Sequence, residues 1–154
     1  MNRLMGKYRY PYQKIVDLKT SQKTQAEWML SVAVGKLQLE EQSLEQLEEE
    51  KQHWADQLLE AAANLVVLSE LRVMQQYMEH LEECIIRKSG DVKTAKMEVD
   101  RSKGYLTEKM MDEKVWLKAK ENANGRFSQM ILLKEQNELD EIASVRFKTA
   151  VRQA

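Results

Sequence analysis

Turn-forming and cross-linking residues are scarce in this chain of 154 residues: one proline, one cysteine and five isolated glycines. Sandwiches and α/β folds need a turn residue at most reversals, so this scarcity argues against both and for long helices. A lone cysteine, Cys84, cannot form an internal disulfide, which suits a reducing compartment. Apolar runs are short as well. The longest, such as Leu65 to Leu68 and Met130 to Leu133, fall far below the ~20 residues that span a bilayer. The basic residues of the N-terminus have no apolar stretch behind them, so no secretory leader is expected, and a soluble protein is. The net charge of −1 gives no general attraction to nucleic acid.

Chemistry-bearing groups are equally sparse. His53 and His80 stand singly, and His80 with Cys84 supplies two ligand-type side chains four residues apart, where a structural zinc site normally takes four. The glycines at 6, 35, 90, 104 and 125 build no phosphate-binding loop. The acidic run from Glu40 to Glu50 reads as a solvated helix face, since carboxylate catalysis needs a walled pocket that shifts pKa values. No enzyme, metal or cofactor is expected.

What the sequence does contain is helical periodicity. Heptads with a positions at 16, 23, 30, 37, 44, 51, 58 and 65 give Val16, Lys23, Leu30, Leu37, Leu44, Lys51, Leu58 and Leu65. The d positions give Tyr12, Lys19, Ala26, Ala33, Glu40, Leu47, Trp54 and Ala61. Repetition over so many heptads is a coiled-coil signature. A second seam runs through Leu71, Met74, Met78, Leu81, Ile85, Val92, Ala95, Val99 and Leu106, interrupted at Lys88 and Ser102. Beyond Leu106 the strict repeat drifts through Met110, Leu117, Ala123, Phe127, Ile131, Leu139, Ile142 and Val145. Trp54 falls on the first seam, and Trp28 and Trp116 lie beside theirs.

The pattern predicts an all-α fold, a long antiparallel two-helix coiled-coil hairpin with a shorter helical segment at the tip, forming one domain over residues 1–154. Pro11 suits a first helical turn, so arm one is expected over about 11–62. A reversal is expected between Ala61 and Leu68, with Ser69 as N-cap of a tip helix over about 69–88. Lys88-Ser89-Gly90-Asp91 is a second candidate break, placing arm two at about 91–150. Two registers compete. In one, residues 69 to 150 form a single helix, facing positions add to about 130, and some thirty C-terminal residues overhang. In the other, arm two begins near 91, facing positions add to about 152, Glu45 lies near Thr107, and Tyr12 lies near Asp140.

Charge favours the second register. Residues 1–36 carry +5, residues 37–86 carry −10 and residues 87–154 carry +4, so it sets the acids of 40–60 against a basic segment. It also matches the arms in length, at roughly 75 Å for 50 residues. The aromatic lead-in Tyr8, Tyr10 and Tyr12 is then expected to pack near Ile142 and Phe147.

The segment Tyr8-Arg9-Tyr10-Pro11-Tyr12-Gln13-Lys14-Ile15-Val16-Asp17-Leu18-Lys19 resembles the opening of the bacterial flagellar export protein FliJ family. Glu135-Gln136-Asn137-Glu138-Leu139-Asp140-Glu141-Ile142-Ala143 is similar to a C-terminal segment of that family, with Asn137 in place of the usual lysine. Gln75-Gln76-Tyr77-Met78-Glu79-His80-Leu81-Glu82-Glu83-Cys84-Ile85 resembles its tip helix.

The resemblance implies a non-enzymatic component of flagellar type III export, similar to the central stalk of rotary ATPases. Such a protein inserts into the hexameric export ATPase ring, promotes ring assembly and couples the ring to the cytoplasmic domain of the membrane export gate. Escort of export chaperones is a further implied role. By position, the gate-binding face is Tyr77, Leu81, Cys84 and Lys88. The ATPase-binding end is Arg9, Lys14, Gln136, Asp140, Glu141 and Arg146. The expected location is cytoplasmic, at the inner face of the cell membrane beneath the flagellar basal body, and the free protein is expected to be a monomer without nucleic acid. The alternative is a generic homodimeric coiled-coil scaffold in which the first helix pairs with a second chain.

Overall fold

The computed structural model describes residues 9–153, with no account of the Gln153 side chain. Two helices carry the fold: α1, Gln13–Ala63, of 51 residues, and α2, Leu68–Gln153, of 86 residues. They pack against each other as an antiparallel two-helix hairpin. Tyr8 of the aromatic lead-in lies outside the described residues.

The reversal falls where the sequence places it. Leu65 adopts φ 54°, and the Val66 amide donates to the Ala61 carbonyl at 3.3 Å, closing the last turn of α1 in a Schellman-type C-cap. The Val67 carbonyl then accepts from the Glu70 and Leu71 amides at 3.0 and 3.3 Å and opens α2. Val67 therefore occupies the capping position expected of Ser69, which lies inside the first turn of α2. A four-residue connection anchored by the C-cap fixes where the next helix can start, whatever capping side chain follows.

An L-residue in the left-handed region costs about 1–2 kcal/mol, and glycine does not incur that cost. Leu65 is 93% exposed, so its side chain contributes almost no packing in return. Leu65→Gly is expected to stabilise the protein by about 1 kcal/mol, read as a raised urea midpoint at unchanged slope.

The second expected break is absent. α2 runs through Lys88, Ser89, Gly90 and Asp91 without interruption, and no described glycine has positive φ. The tip helix and arm two are thus one element. One glycine inside a helix costs only about 1 kcal/mol against alanine, which flanking turns that pack on a partner easily offset.

The chain divides into two compact units, Thr24–Glu108 and the described part of Met1–Lys23 with Lys109–Ala154. In the first, Ala26, Ala33, Leu81, Val92, Ala95 and Val99 are buried. Two charged seam positions of α1 are paired across it: Glu40 with Lys88 Nζ at 3.0 Å and Lys51 Nζ with Glu82 at 3.3 Å. Lys36 also reaches Glu98 at 3.5 Å.

In the second unit Val16 is buried. Lys19 meets Asp112 at 2.8 Å, Lys23 meets Glu113 at 3.1 Å, and the Tyr12 ring tilts against Trp116 at 6.1 Å. The Lys23 ammonium, then the Thr20 hydroxyl, hold the Glu113 carboxyl below its ordinary range.

These pairs place facing positions at sums of about 130, so the observed register is the one that the charge argument disfavoured. Tyr12 lies near Trp116 and not near Asp140, and Ile142 and Phe147 remain exposed, away from Tyr10 and Tyr12. The reason is one of magnitudes. Exposed ion pairs contribute about 0–1 kcal/mol, whereas each large apolar side chain put into a seam contributes about 1.5–3 kcal/mol. The acids of 40–60 largely stay in solvent, and the seam residues decide the match. All four charged a and d positions of α1 (Lys19, Lys23, Glu40 and Lys51) then meet an opposite charge on α2.

The drift expected beyond Leu106 is also corrected. Burial keeps 3–4 spacing through Leu106, Lys109, Glu113, Trp116, Lys120, Ala123 and Phe127, while Met110 and Leu117 face outward. Charged residues occupy seam positions there, and an apolar pattern search passes over them. Trp116 consequently sits on the seam, and Trp28 stands well exposed.

Candidate functional site

The first candidate surface lies on Thr24–Glu108. Tyr77, Leu81, Cys84 and Lys88 follow one another at three- or four-residue steps along α2, as expected, but they do not form one exposed face. Leu81 is 3% exposed and belongs to the seam with α1. Lys88 is engaged with Glu40 and, at 3.7 Å, with Asp91; the hydrogen bond to Glu40 raises its pKa most. Tyr77 and Cys84 occupy the same flanking position about two turns apart, Tyr77 exposed and Cys84 half-buried.

Around these two the helices assemble residues that the sequence argument did not assign to this face. The Tyr77 hydroxyl donates to Glu50, which raises the phenol pKa because the carboxylate holds the proton on the phenol. Its ring meets Trp54 edge-on at 5.2 Å and tilts toward His80 at 6.3 Å. Cys84 Sγ lies 3.6 Å from His80 Nε2 and 3.4 Å from Arg87 Nη2. The result is an aromatic patch flanked by hydrogen-bonding groups, suited to docking a protein surface. Trp54 was legible as a seam residue; that its ring would also buttress Tyr77 depended on register.

The second candidate surface lies on the other unit and comprises two separate regions. Arg9 and Lys14 line a shallow groove with Tyr10, Gln13, Lys120 and Asn124. Gln136, Asp140, Glu141 and Arg146 lie farther along α2, roughly 20 residues or about 30 Å from that groove. The structure therefore does not gather these six residues into one site.

Every described side chain from 136 to 152 is exposed, including Leu139, Ile142, Val145, Phe147 and Val151. Glu141, Ile142, Val145 and Arg146 border a shallow groove on this stretch. Apolar residues at helical spacing on an uncovered helix are the usual mark of a partner-binding face.

Among the described residues no group of three or more His, Cys, Asp or Glu side chains is placed to hold a metal ion. Nor, among them, is any helix long and apolar enough to cross a membrane.

Comparison with known proteins agrees with this arrangement. A solved structure described as a YscO homolog, CT670 from Chlamydia trachomatis, superposes with a TM-score of 0.69 over 96% of this chain and 99% of that one, at 19% identity. At that identity the likeness is one of fold. No curated protein matches the sequence. The family described as Flagellar FliJ protein matches residues 8–152, nearly the whole chain. The chain therefore belongs to the flagellar FliJ family, and with it to the non-enzymatic components of type III protein export.

Proposed function

We propose that this protein couples the flagellar export ATPase to the membrane export gate, using different parts of the hairpin for the two partners. The observation that carries the reading is the uncovered apolar face of α2 beyond the start of α1, on a chain of this family. That face is the part inserted into the ATPase ring, with Gln136, Asp140, Glu141 and Arg146 around it and Arg9 and Lys14 as a basic collar nearer the seam. Contacts there promote ring assembly only if they are stronger in the assembled state than in the free subunits.

The gate contact is made by Tyr77 and Cys84, with Leu81 and Lys88 as positioning residues that hold this part of α2 against α1. Escort of export chaperones and a place at the inner face of the membrane beneath the basal body belong to the same reading. A scaffold built by pairing the first helix with another chain is disfavoured, since α2 already covers the α1 seam.

The test is ATP turnover by the purified cognate export ATPase, titrated in enzyme concentration with and without this protein. Stimulation greatest at low enzyme concentration is expected of a ring-assembling stalk. Unchanged turnover together with no detectable binding, by a preparation whose circular dichroism shows folded helix, overturns the reading.

A further inference from the structure

Half-burial on α2 extends past the start of α1. Ala123, Phe127, Ile131 and Glu135 are half-buried at steps of four along one side of the helix. At the same level Met130, Leu132 and Leu133 are 66%, 64% and 62% exposed, and from Gln136 to Arg152 every described side chain is exposed. Neighbours within the helix therefore do not produce this shielding by themselves. A cover lies against one side of α2 and stops near Glu135.

The path of the chain identifies that cover. Followed backwards from α1, Tyr12 meets Trp116, and then Arg9, Tyr10 and Pro11 line a groove with Lys120 and Asn124. Each step toward the N-terminus thus moves along α2 in the direction of Glu135. Glu135 lies about 16 Å beyond Asn124, out of reach of the side chains of residues 9–12. Eight residues precede Arg9, and an extended chain of that number spans up to about 26 Å, so the length suffices.

Their chemistry fits as well. Leu4, Met5 and Tyr8 supply apolar surface for Phe127 and Ile131, whose burial favours the contact. Arg3 and Lys7 supply positive charge for Glu135, whose chain neighbour Lys134 stays exposed.

We propose that residues 1–8 dock along α2 from Ala123 to Glu135, prolonging the seam beyond the start of α1 and ending where the fully exposed face begins. The chain itself thereby sets the edge of its partner face: Phe127 and Ile131 are withheld, and side chains from Gln136 onward are offered. Arg3 and Lys7 are carried from the collar of Arg9 and Lys14 toward Gln136, which joins the two separate regions of the second candidate surface. That last consequence rests on the export reading; the docking does not.

The test is the rate of thiol alkylation by iodoacetamide in the whole chain carrying Cys84→Ser and one new thiol, either Ile131→Cys or Leu132→Cys. Each rate is divided by that of the same form unfolded in urea, which removes differences in intrinsic reactivity. On this scale Ile131→Cys is expected to react at least about fivefold more slowly than Leu132→Cys, since a covered side chain reacts only through local opening. Adding Leu4→Asp with Met5→Asp should raise the rate at 131 to that at 132 and leave the rate at 132 unchanged.

Equal rates at 131 and 132 in the absence of the aspartates overturn the proposal, because that side of α2 is then uncovered. So does slow reaction at 131 that the aspartates leave unchanged, which assigns the cover to another segment. A rate at 131 that falls as protein concentration rises overturns it too, by assigning the cover to a second copy. Circular dichroism verifies that each form remains helical. No ATPase or gate enters the experiment, so failure of this proposal and failure of the export reading are observed separately.

Discussion

Leu81→Ala is expected to lower the unfolding free energy by about 2–5 kcal/mol, the usual cost of emptying a buried leucine site. Leu81 is 3% exposed and lies in the seam of Thr24–Glu108, whose other buried apolar side chains are small: alanines and valines. Two helices share one seam, so removing a large apolar side chain takes a substantial share of what holds the unit together. Urea unfolding followed by circular dichroism should show a much lower midpoint. Leu81→Met, which conserves volume, should cost less than about 1.5 kcal/mol.

Tyr77 and Cys84 behave differently, because both stand at the surface. Tyr77→Ala should leave the midpoint far closer to wild type while weakening binding to the gate's cytoplasmic domain. Loss of gate binding in Leu81→Ala is thus a folding effect, which Leu81→Met should reverse. If Leu81→Ala unfolds at the wild-type midpoint, the placement of this residue in the seam is wrong.

The double substitution Ile142→Asp with Val145→Asp should reduce stimulation of the export ATPase at least about tenfold, since apolar anchors of a contact are often worth 2 kcal/mol or more each. Both residues are more than half exposed, and side chains from 136 onward have no described cover. Surface changes of this sort usually move stability by less than about 0.5 kcal/mol apiece, so the hairpin itself should remain intact. Measured turnover at low ATPase concentration, with unfolding of the variant as control, decides the matter. Undiminished stimulation by the folded variant would remove this face from the proposed ATPase contact.

The two variants probe different origins of exposure and burial in one long helix. Leu81 and Ile142 look alike in the sequence, each an aliphatic residue at a seam-like spacing with acidic neighbours. One is buried and the other exposed because α1 begins at Gln13, level with the turn around Trp116 in this register. Half-burial continues past that level to Glu135, and from Gln136 onward α2 carries the periodicity of a seam with its described side chains exposed.

The amino-acid sequence by itself determined the helices, the reversal between Ala61 and Leu68, and the seam of α1. Turn residues are too few for any other fold, and the 3.5-residue repeat is a local property that needs no knowledge of the partner. The family was legible for the same reason, since its motifs are contiguous segments.

Only the tertiary structure decided register. Sliding one helix along the other by about three heptads, or roughly six turns, preserves every local preference, so the choice rests on which side chains fill the shared seam. Lys19, Lys23, Glu40 and Lys51 read as interruptions until their partners Asp112, Glu113, Lys88 and Glu82 are placed opposite them. The same placement made Lys88-Ser89-Gly90-Asp91 the middle of a helix, buried Leu81 out of the expected gate face, and separated Arg9 and Lys14 from the residues around Asp140. Those outcomes depend on packing between residues about 30 to 90 positions apart in the chain, where loop closure and burial decide and local propensity carries little weight.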